Sequence, residues 1–179
     1  SRALRWTAVF TMIISMAVCS GLLIRNALDE ATGLLKGNVA DVSQDISDEF
    51  LEYNTKNAVK IKDAIWKYMY YLKRCSASEA TEYLKVLLGT YDCDEINIID
   101  SDGFVENSSL PKNIGFDLSK SERSASFLPL LNMDGVIAQE PRRSLTEAEV
   151  MMVYAGASFP DQSGFVLIGS NMETLRRWL

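Results

Sequence analysis

The sequence contains no histidine. A Ser-His-Asp or Cys-His catalytic arrangement is therefore excluded, and so is a histidine-ligated metal site. Cysteine is scarce: Cys19, Cys75 and Cys93 stand too far apart to form a zinc cluster. No run of lysine and arginine occurs, and the formal net charge is −6. Phosphate backbones are held by clustered cations, so nucleic acid is not an expected partner. A glycine-rich phosphate loop, internal repeats and low-complexity tracts are all missing. Together these absences argue against an enzyme and give no reason to expect a cofactor.

What is present begins with an uncharged run at residues 6–24, WTAVFTMIISMAVCSGLLI. A helix of about 19 residues rises roughly 28 Å, enough to cross a bilayer. Arg2 and Arg5 flank one end, Arg25 the other, and Trp6 stands at an interfacial position. The run is longer than a signal-peptide core and no A-x-A site follows it. Residues 1–25 are therefore predicted to be a transmembrane anchor with its N-terminus inside. The remainder of the chain is then extracytoplasmic, held at the cell membrane.

Residues 26–74 read as long helix. Val42, Ile46, Phe50 and Tyr53, then Ala58, Ile61, Ile65, Tyr68 and Leu72, recur every three or four residues. No proline interrupts this stretch, although Gly33 and Gly37 weaken it. The stripe is expected to pack on a sheet, with part of its length free to meet a second copy, so a homodimer through the long helix is expected. Ser78 is placed as the cap of a second helix running to about residue 91. Cys75 and Cys93 bracket that helix. They are read either as a disulfide, worth on the order of 3 kcal/mol in the chain-entropy model, or as two buried free thiols.

Strands follow. Residues 95–100 (EINIID), the turn DSDG and residues 104–106 give a hairpin signal. Pro111, Asn113 and Gly115 mark a loop, and residues 121–131 can hold a short helix. Residues 135–139, 150–159 and 164–170 read as three more strands, the last two joined by PDQSG. Asn171 is placed as the cap of an exit helix at 171–179, ending Arg-Arg-Trp-Leu, which points toward a second membrane span near Trp178. The predicted fold is α+β: a transmembrane helix, then a long helix packed on a five-stranded antiparallel sheet. The domain occupies residues 26–170, with the helix at 26–74 and the sheet at 94–170.

Six segments carry a family resemblance. INIIDSDGFV (96–105) looks like the first hairpin of the extracellular Cache sensor domains, a PAS-like fold of bacterial receptors. NIGFDLS (113–119) resembles the loop after it, and RSASFLPLLN (123–132) its helix. VIAQEP (136–141), YAGAS (154–158) and GFVLIGSN (164–171) are similar to its last three strands. The nearest flavour is the single Cache sensor of membrane-bound, sporulation-type metal-dependent serine/threonine phosphatases. The resemblance implies a receptor's sensory half, which binds a small-molecule ligand and passes a conformational signal across the membrane. The phosphatase, kinase or cyclase output would then lie elsewhere in a longer protein. The Arg-Trp-Tyr placement of amino-acid-binding double Cache domains is missing around Trp66, Tyr68 and Tyr70, so an amino-acid ligand is not implied.

Other chemistry is thin. Asp100 and Asp102 suit an Asx turn better than a calcium loop, so no metal site is expected. Glu140, Glu147 and Glu149 read as a solvated loop rather than acid and base. Alternation along residues 150–159 puts Met151, Val153, Ala155, Ala157 and Phe159 on one face, assigned to the helix side. Tyr154, Gly156 and Ser158 then face a pocket, joined by Gln139 from the neighbouring strand. By the resemblance, Arg123 and Phe127 lie where loop and helix cover that pocket, and Arg123 is placed to pair a ligand carboxylate. The rival reading is a ligand-free structural or dimerisation module whose pocket is filled by its own side chains.

Overall fold

The computed structural model describes the backbone of residues 2–143 and 150–173, and the side chains of residues 20, 22–142 and 150–173. Helix α1 spans Arg2–Leu72. The chain divides into two compact units, Ser1–Ile46 and Ser47–Leu179. In the first, every described side chain from residue 22 to 46 is exposed. Among the described residues no helix is long and apolar enough to cross a membrane. Most of the predicted span at 6–24 lies outside the described side chains.

In the second unit, α1 buries Phe50, Asn54, Asn57, Ala58, Ile61, Ile65, Met69 and Leu72. These recur at helical spacing, so one face of the helix is covered. The predicted stripe is corrected along its length. Val42 and Ile46 are exposed, Tyr53 is half-buried, Tyr68 is exposed with Met69 in its place, and Asn54 and Asn57 sit inside the buried line. The chain leaves α1 through Cys75 N–H bonding the Tyr71 carbonyl. Helix α2 (Ala77–Tyr91) starts at Ser76, not at Ser78. Ser76 Oγ accepts from Glu79 N–H, and Glu79 Oε2 accepts from Ser76 N–H at 2.8 Å. This capping box needs a glutamate three residues after the cap, which Ser78 lacks. Asp92, in the left-handed region at φ 49°, ends the helix.

Among the described residues, six strands form one antiparallel sheet: β1 (Glu95–Asp100), β2 (Val105–Ser108), β3 (Val136–Ala138), β4 (Arg142–Arg143), β5 (Met151–Ser158) and β6 (Gly164–Asn171). Their order is β2-β1-β6-β5-β3, and the two-residue β4 pairs with β5. The predicted five-stranded antiparallel sheet is thus present, with β4 added. The β1–β2 turn is an Asx turn: Asp100 Oδ1 accepts from the N–H groups of Asp102 and Phe104, both at 2.9 Å. Gly103, at φ 87°, gives the turn the backbone that an L side chain resists. Residues 121–131 hold a one-turn helix, α3 (Glu122–Ala125), and a three-ten turn at Leu128–Leu131. Pro129 at the start of that turn suits its short length.

The sheet has two different faces. Ile96 and Ile98, Val166 and Ile168, and Ala155, Ala157 and Phe159 pack with Ile61, Ile65 and Leu84 of the two helices. Val153 packs with Phe50. Burying each large aliphatic side chain contributes about 1.5–3 kcal/mol, so this layer is the main core. The helix-side face matches the alternation expected along β5.

Candidate functional site

The opposite face carries the candidate site. Its floor is made by Ile99 of β1, Phe165 and Leu167 of β6, Ile137 of β3 and Tyr154 of β5. Phe127 and Leu130 descend onto it from the segment after α3. A methyl added at Gly156 would lie 2.7 Å from Leu130 Cδ1 and 3.2 Å from Phe127 Cδ1. Gly156 is therefore the seat for these two side chains, and they fill this half of the face.

The other half is polar. Period-two alternation sends Glu95 and Asn97 to this face while Ile96 and Ile98 go to the helices. Glu95 Oε1 accepts from Asn97 Nδ2 at 2.6 Å and from Asn113 Nδ2 at 2.8 Å. Glu95 Oε2 accepts from the Tyr154 hydroxyl at 3.4 Å. Asn97 Oδ1 accepts from Ser108 Oγ at 2.6 Å and from Asn113 Nδ2 at 3.4 Å. Asn97 and Ser108 are buried, whereas Glu95, Asn113 and Tyr154 are half-buried. The loop carrying Asn113 is fastened to β2 by Gly115 N–H to the Val105 carbonyl and Val105 N–H to the Phe116 carbonyl. Burial, then the charge of Glu95 and its hydrogen bond, push the Tyr154 hydroxyl above the usual phenol range. It stays a donor throughout the physiological range. A carboxylate offers about four acceptor positions; three are met by protein donors among the described residues.

The sequence-predicted residues are distributed unevenly. Tyr154 and Phe127 share the apolar cluster. Gln139 lies beside Tyr154, its N–H bonding the Tyr154 carbonyl. Its side chain donates to the Arg123 carbonyl at 2.7 Å and to Ser126 Oγ. Arg123 is exposed, and its backbone is what Gln139 grips. The Ser158 hydroxyl is engaged elsewhere: it accepts from Gly135 N–H at 2.8 Å and donates to Asp134 Oδ1 at 3.3 Å. It closes the entry to β3. Glu95, Asn97 and Asn113 were not singled out from sequence. The signal for Glu95 and Asn97 was the polar residues at alternate positions in EINI; Asn113 was read only as part of a loop. Cys75 and Cys93 are free thiols here. Cys75 Sγ lies 3.5 Å from the Leu72 carbonyl, to which it donates. Burial, then the charges of Asp94 and Asp92, push the Cys93 thiol up to about 12.

Neither known family descriptions nor characterised proteins match this sequence. Solved structures do. The extracellular domain of a protein assigned as a histidine kinase superposes with a TM-score of 0.51 at 18% identity. That match covers 81% of this chain and 61% of the other. An extracellular ligand-binding receptor from Desulfohalobium retbaense aligns at 16% identity over 70% of this chain and 25% of its own, with a TM-score of 0.35. A score that low carries no argument about this chain. The first likeness establishes the fold: a long helix with an antiparallel sheet, shared with an extracellular domain.

Proposed function

We propose that this chain is the extracytoplasmic sensor domain of a membrane-bound receptor, with a small solute bound on the sheet face opposite the helices. The observation that carries this reading is the half-buried carboxylate of Glu95, flanked by Asn113 and Tyr154 and holding unused acceptor capacity. An amine or other donor-bearing solute suits it, with Phe127 and Leu167 as its apolar wall. The shared fold with the extracellular domain of a kinase-type protein supports the reading. So do the motif order of Cache sensors and the uncharged run at 6–24, which would hold the domain at the membrane. Two copies associate through the long helix, and the exit helix after Asn171 carries the change toward a second span. Residues 174–179, on which that span would begin, lie outside the described residues.

Melting of the 179-residue chain against panels of small amines, amino acids and carboxylates tests the site. A ligand that binds only the folded state must raise the midpoint. A stabilising amine whose effect disappears in Tyr154→Ala and Glu95→Gln, but persists in Val153→Ala, is the expected result. A response lost in Val153→Ala and kept in Tyr154→Ala would assign the wrong face.

A second reading is favoured by one observation. Phe127 and Leu130 already fill the apolar half of the face, as expected of a ligand-free structural module. In that case no solute class shifts the midpoint.

A further inference from the structure

Two glycines notch the sheet face that carries Glu95. Cross-strand register puts Ile137, Gly156, Leu167 and Asn97 in one row of that face, and Tyr154, Gly169 and Glu95 in the next. The rows stand roughly 7 Å apart, two residues of strand. The Gly169 notch is filled from within the sheet: a methyl there would lie 2.7 Å from Tyr154 Cε1 and 3.2 Å from Met152 Cε. The Gly156 notch is filled from outside the sheet, by Leu130 and Phe127. Leu130 is 0% exposed and Phe127 2%. Both lie in one apolar cluster with Leu167, and Tyr154, whose hydroxyl meets Glu95, packs against that cluster. The Gly156 seat and the polar cluster are therefore adjoining parts of one face.

The segment that brings Leu130 down is held at both ends. Gln139 Nε2 donates to the Arg123 carbonyl at 2.7 Å and to Ser126 Oγ. Ser158 Oγ accepts from Gly135 N–H at 2.8 Å and donates to Asp134 Oδ1 at 3.3 Å. Between these holds, Pro129 fixes one backbone angle of the three-ten turn Leu128–Leu131. Leu130 is thus a fixed wall rather than a lid. We infer that Leu130 is the specificity-determining residue of this face: it occupies a ring-sized seat beside the Glu95 cluster and so limits the solute to a short-chain amine. An amine carrying an aromatic group would need the volume that Leu130 takes. Gln139 and Ser158 serve the same selection by keeping the segment in place. The amine rests on the Glu95 reading above; the seat rests on Gly156 and Leu130.

Propylamine, phenethylamine and toluene, which carries the ring without the amine, separate the two. The 179-residue chain and its Leu130→Ala variant are melted and titrated with each. Truncating Leu130 opens an apolar cavity, which stays dry and accepts an aromatic ring. A probe bound only by the folded state raises the midpoint. Propylamine should raise both midpoints, and toluene only that of Leu130→Ala. Phenethylamine should bind the variant tighter than the parent by roughly tenfold or more, through the added ring burial. Leu130→Val, a smaller opening, is carried alongside in case Leu130→Ala lacks a cooperative transition, and should respond in the same order. Toluene or phenethylamine raising the parent as much as the variants would overturn the inference, because the seat would already be open. So would variants that ignore toluene, or that bind phenethylamine no tighter than the parent while propylamine raises every midpoint. No amine acting on any protein, with toluene still singling out the variants, would strike out the Glu95 reading and uphold Leu130 as the occupant of the seat.

Discussion

Glu95 and Tyr154 show how much a single alternation decides. One residue's shift of register in β1 would send Glu95 and Asn97 into the helix layer, where a carboxylate has no donors. Ile96↔Ile168 and Tyr154↔Gly169 pairing fixes the present register. Gly169 also gives the Tyr154 ring its place, since a methyl there would lie 2.7 Å from Tyr154 Cε1. Cys93 makes a separate prediction at this scale. Its thiol titrates near 9.0 when unfolded and about 12 when folded. The folded state therefore holds the proton over that interval, and stability is lost as pH rises from about 9 toward 12. The slope is at most about 1.4 kcal/mol per pH unit. Denaturant titrations across that range should show a shallower decline in Cys93→Ala than in the parent; equal slopes would contradict the assignment.

At the scale of elements, α1 is attached to the sheet by hydrogen bonds as well as by oily contact. Asn54 Nδ2 donates to the Val153 carbonyl at 2.9 Å, and Ser170 Oγ donates to Asn54 Oδ1 at 2.7 Å. One helix residue thereby bridges neighbouring positions of β5 and β6, just before Asn171. Asn57 Nδ2 bonds the Tyr91 carbonyl at the end of α2 in the same way. Asn54→Ala strands a buried Ser170 hydroxyl and should cost about 1–3 kcal/mol, read as a lower denaturation midpoint at unchanged slope. A loss below about 0.5 kcal/mol would mean the bridge is incidental. Sequence periodicity made the helix, the five strands and the two faces of β5 legible, because each depends on a local repeat. It missed Asn54 and Asn57 because polar residues in a buried line break the apolar pattern they belong to. It placed the α2 cap two residues late, although the Ser76–Glu79 pair was there to be read. The site was legible only in part for a related reason. Tyr154 and Phe127 follow from a strand's alternation and a motif, whereas Asn113 reaches Glu95 across 18 residues of chain by a loop geometry that no local repeat encodes.

For the whole molecule, the proposed function links an anchor, a paired helix, a sheet with a polar cluster on its far face and an exit helix. Glu173 N–H bonds Asn171 Oδ1 at 2.8 Å, so the Asn171 side chain caps the turn at Met172 and Glu173, directly after the strand that runs beside Tyr154 and Glu95. A solute drawn between Glu95 and Tyr154 would act on β6 at Gly169, two residues before that cap. The anchor has its own check: chain made in bacterial membranes should stay with them through a carbonate wash, and release by that wash would remove residues 6–24 as a span. The central claim, that the polar cluster around Glu95 is a solute site, is tested most directly by melting the parent and Glu95→Gln proteins across the panel of amines. The account predicts a concentration-dependent rise in the parent midpoint with at least one amine and none in Glu95→Gln. The same rise in both proteins, or no rise in the parent with any amine, would contradict it.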